Sequence, residues 1–308
     1  MIGIVILNYK NWTDTRRCIE SIKKNPPKDK YKIILVDNAS PNSPDDSLDA
    51  MIKKYGVIWI KNQKNEGYNA GNNIGIAKAL DIGCSYLLIS NSDVRYFPGS
   101  IQLLADYLKG NPKAGIAAPK IVDRQGRVQQ SCYCRRMGLL EKYLVCTKAN
   151  LLFRNTYRAY FGIGRHTDQA RRTYAVLGCC FLMSRECAQA VMPLDEHPFL
   201  YEEELMLGIR MEQAGLETVY CPKAAVRHLH GGSTRGQKEE AFMHFVCSEL
   251  YYCRAYLKAK RWQVLPLYAY RTVLYLLRCV LKVEFRRGWR EYLRRTGAEW
   301  ELFRCETG

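Results

Sequence analysis

Several features that mark other classes of protein are missing from this chain of 308 residues. It contains no G-x-G-x-x-G fingerprint and no P-loop Lys-Ser/Thr, which argues against a dehydrogenase or a P-loop NTPase. Its 13 cysteines include no zinc-type C-x-x-C pair; Cys132 and Cys134 form a lone C-x-C, and Cys179-Cys180 are adjacent. The cysteine number is odd, the spacing is irregular, and Met1–Leu7 has no basic leader. Reduced, mostly buried cysteines in a cytoplasmic protein are therefore expected. No low-complexity stretch occurs, and 47% of residues are hydrophobic against 25% charged. That excludes a disordered or fibrous chain and a small disulfide scaffold. The C-terminal region also lacks the roughly 20 consecutive apolar residues that span a bilayer. Its longest uncharged stretch, Trp262–Tyr270, contains Pro266, and Arg271, Arg278 and Lys282 follow it. No transmembrane helix is expected.

Acidic residues are scarce too: 30 Asp and Glu face 47 Lys and Arg, a net charge of +17. The excess is local. Residues 1–119 carry +5 and residues 176–249 carry −5, whereas residues 120–175 carry +9 and residues 250–308 carry +8. Such basic segments suit nucleic acid, an anionic membrane or a phosphorylated substrate.

The first 120 residues alternate strand and helix signals. Strands are expected at Ile2–Leu7, Lys32–Val36, Val57–Lys61, Tyr86–Ser90 and Gly115–Ala118. Helices are expected from Thr13 or Asp14 to about Lys24, then over Asp45–Tyr55, Gly71–Leu80 and Pro98–Leu108. This order implies an α/β fold with a mostly parallel sheet flanked by helices. Ligands bind such sheets at the carboxyl ends of the strands. Asn8, Asp37-Asn38, Asn62 through Asn73 and Asn91-Ser92-Asp93 all follow strands directly. Asn and Asp are good turn residues, but four polar strand ends in series favour a site.

Three further clusters carry chemistry. The turn Glu66–Asn73 brings two glycines and three asparagines to a helix start, which suits phosphates or a ribose. Glu202-Glu203-Glu204 precede a helix expected over Leu205–Ala214. They are either a solvated first turn or the seat of a general base. His228 and His230, followed by Gly231-Gly232-Ser233, could serve a metal or a phosphate. Asp93, closing an apolar strand, is either a turn cap or a cation ligand.

In this order the motifs resemble family-2 glycosyltransferases, in particular the rhamnosyltransferase-like branch of bacterial surface polysaccharide synthesis. The resemblance covers roughly residues 1–235. It rests on VILNYKNW (5–12), ILVDNAS (34–40), NEGYNAGNNIGI (65–76), LLISNSDV (87–94), VLGCCFLMSRE (176–186), FLYEEEL (199–205) and VRHLHGGS (226–233). It implies a GT-A fold, a nucleoside-diphosphate-sugar donor, a divalent cation (Mg²⁺ or Mn²⁺) and inversion at the anomeric carbon. By the same resemblance Asn8, Asp37 and Asn38 would hold the base and its surroundings. Gly67, Asn69, Gly71, Asn72, Asn73 and Ser92 would lie along the ribose and donor sugar. Asp93 and His228 would serve the metal or diphosphate, and Glu204, or its neighbour Glu203, would be the base. Three positions depart from the family pattern: Asn91 opens the metal motif in place of Asp, Glu204 replaces the commoner Asp, and Met206 replaces an acid.

The expected organisation is a nucleotide-sugar-binding half (1–120), an acceptor-binding and catalytic half of the same domain (121–240), and a basic amphipathic helical extension (241–308). The last is expected either to lie on the anionic inner face of the cell membrane, near a lipid-linked or polysaccharide acceptor, or to pack on the catalytic domain with its arginine stems covering apolar surface. Competing readings are a nucleotidyltransferase or other nucleotide-sugar enzyme, which would need more carboxylates than Asp93, and a nucleic-acid-binding protein. The neutral and acidic strand ends disfavour the second, so nucleic acid is not expected as a partner.

Overall fold

A computed structural model describes residues 1–129, 132–163, 168–229 and 238–305. His230 and Gly231–Ser233 therefore lie outside the described residues.

The first half runs β1 (Ile2–Asn8), α1 (Trp12–Lys24), β2 (Tyr31–Asp37), α2 (Asp46–Tyr55), β3 (Ile58–Lys61), α3 (Tyr68–Asp81), β4 (Tyr86–Asn91), β5 (Val94–Tyr96), α4 (Ser100–Gly110) and β6 (Ala114–Val122). The second half adds β7 (Cys132–Tyr133), α5 (Leu139–Cys146), a 3₁₀ turn (Lys148–Leu151), α6 (Arg154–Phe161), β8 (Arg171–Thr173), β9 (Ala175–Val176), β10 (Cys180–Ser184), α7 (Arg185–Val191), α8 (Glu203–Gln213) and β11 (Glu217–His228). The chain ends in α9 (Lys238–Tyr251), a π-helical turn (Tyr252–Tyr256), α10 (Arg261–Leu281) and α11 (Val283–Cys305).

The main sheet has the order β3-β2-β1-β4-β10-β6-β11-β5, with β8 also paired to β11, and β7-β9 form a separate ribbon. The pairs β1/β2, β1/β4, β2/β3 and β6/β11 are parallel, while β10 runs antiparallel to both its neighbours. The expected α/β architecture with a mostly parallel, helix-covered sheet is present. The central strands are buried on both faces: Ile2, Ile4, Val5, Ile6, Leu87, Leu88 and Ile89 are fully buried. That explains why they read as continuous apolar runs instead of alternating ones. None of the described cysteines is disulfide-bonded, and eight of them are buried.

Two departures from the sequence expectation have clear causes. Helix α3 starts at Tyr68, three residues early, because Gly67 at φ 105° caps it and the Tyr68 N–H bonds the Phe199 carbonyl (2.9 Å). α10 is a 21-residue helix despite Pro266, which sits in its second turn, close enough to the start to be tolerated. It is also the one helix among the described residues that is long and apolar enough to cross a membrane by length and composition. The sequence expectation had excluded such a helix because arginines interrupt the run. The helix places Arg271 inside the protein, 5% exposed, so it does not break the apolar outer face.

Gly67 also marks a close approach between the two halves. A β-carbon there would stand 2.5 Å from the Phe199 carbonyl oxygen, and the backbone angle is one that side chains rarely adopt. Gly67→Ala should lower unfolding stability by about 1–3 kcal/mol, read as a reduced urea midpoint with an unchanged slope.

Candidate active site

The register of the sheet brings the strand ends together. Asn8 is level with Asp37, and Leu7 is level with Asn91. Because β10 runs back beside β4, the Gly178-Cys179 turn reaches the same edge, where the Asn91 N–H donates to the Cys179 carbonyl (2.9 Å). β5 pairs with the end of β11, setting Val94 opposite His228. One sheet edge therefore collects Asn8, Asp37, Asn91–Asp93, Gly178 and His228.

Asp93 and His228 meet there, with His228 Nε2 3.2 Å from Asp93 Oδ1 and both side chains largely buried. Arg95 braces the turn. Its guanidinium donates to the carbonyls of Ser92 (3.2 Å) and Val94 (3.0 Å) and pairs with Asp14 (2.5 Å). One carboxylate and one imidazole suit a hard cation whose other positions are filled by diphosphate oxygens and water. Among the described residues no group of three His, Cys, Asp or Glu side chains is placed to hold a metal. A cation here would thus lean on the substrate.

The three glutamates are not a solvated run. Glu202 turns inward from a left-handed conformation (φ 67°) and both of its carboxylate oxygens accept from Lys142 Nζ, at 2.5 and 2.6 Å. Lys142 is 1% exposed. Burial pushes its ammonium towards neutrality, but the facing Glu202 more than offsets this and the net shift is upward, so it stays charged. Glu249 stands 3.7 Å from Lys142 and accepts two bonds from Arg271, at 2.6 and 2.8 Å. Four buried charges thus link α5, the turn before α8, α9 and α10.

Glu203 and Glu204 follow in the first turn of α8. Glu204 Oε1 accepts the Gly178 N–H (3.0 Å), while Glu203 Oε2 is buried without a hydrogen-bond partner. The Tyr68 hydroxyl donates to the Gly178 carbonyl and closes the same pocket. Burial raises both carboxyls. Glu203 lies well above the ordinary range because Glu204 adds to the burial effect, whereas the Gly178 N–H moderates Glu204. The Gly178 N–H favours the ionised form of Glu204, and Glu203 Oε2 has no such donor. Cys179, buried at the same edge, has its thiol raised by burial, then by Cys180, Asp93 and Glu204, so both acidic groups act on this turn.

The sequence-predicted ligands divide into two groups. Asp37 is buried, and its Oδ1 accepts the Ser40 N–H (3.1 Å). Asn8 is buried and bonds Ser40 and Thr15 (3.2 and 2.9 Å), and Ser92 is buried beside Asp93. These line the strand ends. The asparagines around α3 brace instead. Asn38 donates to Asn65 and to the Gly67 carbonyl (2.8 and 3.0 Å) and accepts from Asn62 (2.9 Å). Asn69 donates to the Asp195 carbonyl (2.6 Å) and Asn72 to the Tyr68 carbonyl (3.0 Å). Asn73 donates to the Leu194 carbonyl (2.9 Å) and to Glu196 (2.7 Å) and accepts the Leu194 N–H (2.8 Å). Gly71 lets α3 lie directly on Leu7 of β1. Tyr68, Arg95, Lys142, Glu249 and Arg271 were not singled out from sequence. Only Lys142, set among Leu, Tyr and Val in α5, had a signal of burial.

The family model for Glycosyl transferase family 2 matches residues 3–189. A curated relative from Mycobacterium tuberculosis, N-acetylglucosaminyl-diphospho-decaprenol L-rhamnosyltransferase, is 31% identical over 244 residues, covering 76% of this chain and 78% of the relative. Low-salt glycan biosynthesis hexosyltransferase Agl10 from Haloferax volcanii is 23% identical over 227 residues, covering 71% and 64%. Among solved structures, mannosyltransferase PcManGT from Pyrobaculum calidifontis with GDP-Man and Mn²⁺ matches with a TM-score of 0.55 at 11% identity, over 98% of this chain and 85% of that one. GalNAc-T7 with UDP, GalNAc and Mn²⁺ matches with a TM-score of 0.56 at 19% identity, over 75% of this chain. This chain spans 43% of that neighbour's length. The last two establish a shared fold.

Lys142→Met leaves Glu202 buried without its cation and should cost about 3–5 kcal/mol, whereas the double variant Lys142→Met/Glu202→Leu should recover part of that loss. Urea unfolding of the two variants side by side tests the pairing.

Proposed function

The chain belongs to glycosyltransferase family 2, and on that premise we propose that it moves a sugar, with inversion, from a UDP- or dTDP-sugar to a hydroxyl of a lipid-diphosphate-linked or polysaccharide acceptor. A rhamnosyl donor is favoured by the name of the mycobacterial relative, and so is a polyprenyl-diphosphate acceptor. The observation that carries the reading is the convergence of two acidic sites on one sheet edge. Glu204 is anchored to Gly178, and the next residue, Cys179, accepts the N–H of Asn91 in the turn that carries Asp93, the partner of His228.

Inverting transfer is one in-line displacement. The acceptor oxygen bonds the anomeric carbon as the bond to the diphosphate breaks, and the hydroxyl proton leaves for a base. Glu204 is that base, because the Gly178 N–H fixes its direction and favours its carboxylate form. Glu203, whose buried Oε2 has no hydrogen-bond partner among the described residues, orients the acceptor by hydrogen bonding. Asp37 and Asn8 border the place for the nucleotide base, and Ser92 and the Gly67 turn border the ribose and sugar. Asp93 and His228 would hold Mg²⁺ or Mn²⁺, which when bound neutralises charge developing on the leaving diphosphate. Arg95 keeps Asp93 aimed at that point. We place the enzyme at the cytoplasmic face of the membrane, where a lipid-linked acceptor would be met.

Glu204→Gln should lower kcat by about 10²–10⁴-fold while a nucleoside-diphosphate-sugar still raises the melting temperature. Full activity in this variant contradicts the assignment. The base works ionised, so the wild-type kcat/KM should climb with pH through a value above that of an ordinary carboxylate; a flat acid limb contradicts this. Asp93→Ala should lose both stimulation by Mn²⁺ and binding of Mn²⁺ in the presence of nucleotide, the latter followed by electron paramagnetic resonance.

A further inference from the structure

α10 is built inside out for a surface helix. Of its 21 residues, every exposed position is apolar. They recur along one face, with Trp262 at 70% exposure, Val280 at 75% and Leu281 at 82%, and Leu265, Val273 and Leu277 between. The charges face the protein. Arg271 is bound to Glu249 and to the Cys146 carbonyl (3.0 Å), and the Arg278 guanidinium lies over the rings of Phe242 (4.3 Å) and Phe285 (5.5 Å). The usual surface helix does the reverse. Exposed apolar area on this scale marks a binding surface.

A second apolar element sits beside it. The Tyr270 hydroxyl accepts the Lys148 N–H (3.1 Å), holding the 3₁₀ turn whose tip exposes Leu151, Leu152 and Phe153. Cations accompany both: Arg154 and Arg158 follow the tip on α6, and α11, which packs on α10, carries Arg286, Arg287 and Arg290, all exposed, while Arg294 is paired with Glu291. On α11 the exposed acids are Glu284 and Glu301 alone among the described residues. An apolar face with exposed arginines on the neighbouring elements is complementary to a lipid interface with anionic headgroups. The helix cannot leave the protein to cross the bilayer without stripping Arg271 from Glu249 in an apolar medium. It must therefore lie in the plane.

We infer that the outward face of α10, together with the Leu151–Phe153 tip, is a monotopic docking surface for an anionic bilayer. This deepens the membrane placement proposed above and rests on it for its purpose, while the surface itself is argued from its own residues. It also revises the sequence expectation. The arginines of α10 do not reach the headgroups; those of α11 and α6 do.

The test uses the full chain and vesicles of phosphatidylcholine with or without a quarter of phosphatidylglycerol. Wild type should sediment with the anionic vesicles, and its tryptophan emission should shift to the blue, a shift lost in Trp262→Phe. Leu277→Glu/Leu281→Glu should lower vesicle affinity by about tenfold or more. Leu152→Glu, on a separate element, should weaken it too. Nucleotide-sugar should still raise the melting temperature of these variants as it does for wild type. Sedimentation unchanged in both variants overturns the inference. So does a wild-type dimer that the double variant converts to monomer with no vesicle binding by either, because the face then joins two copies of the chain. Vesicle binding that depends on these leucines, in a protein that no nucleotide-sugar stabilises, upholds the docking surface and contradicts the proposed function instead.

Discussion

The structure turns on a short chain of buried charges. Lys142 from α5 fastens Glu202, Glu249 from α9 faces the same ammonium, and Arg271 from α10 closes the series. Burying four charges gains little net stability, because desolvation offsets most of the attraction. What it supplies is registry: each charge is tolerable only where its partner is, so three helices and the glutamate turn have one mutual arrangement. Glu202 holds its left-handed backbone because its carboxylate is drawn towards Lys142. That turn in the chain sends Glu203 and Glu204 out to the sheet edge instead.

The second constraint is the sheet. Parallel pairing of β2, β1 and β4 levels their carboxyl ends, and the antiparallel β10 returns a glycine turn to that same level. Gly178 then serves both sides, its N–H to Glu204 and its carbonyl to Tyr68. Short β5, laid against the end of β11, does the equivalent for Asp93 and His228. Two carboxylate sites with different surroundings follow from backbone pairing: one carboxylate faces an imidazole, and the other accepts a backbone N–H.

Much of this was legible in the residues. Apolar runs ended by Asn or Asp located the strand ends, because period and turn chemistry are local properties. The asparagines of α3 were harder to read. An Asn at a strand end looks the same whether it meets a nucleotide or a neighbouring backbone; Asn38 braces the Gly67 turn and Asn73 the loop at Leu194. The run of three glutamates read equally well as a solvated helix start, because its partner Lys142 lies 60 residues away. The arginines of α10 suggested an interrupted, outward-facing charge pattern; only packing shows that Arg271 and Arg278 turn inward. Long-range pairing, not local propensity, carries what the sequence left hidden.

The central claim is that one ionised carboxylate, Glu204, drives a single displacement while the diphosphate departs from the opposite face. The most direct measurement is the anomeric configuration of the first product formed from an isotopically labelled donor, read from the one-bond carbon–proton coupling at the transferred sugar. The account predicts a configuration opposite to that of the donor. A product with the donor's configuration retained would contradict it.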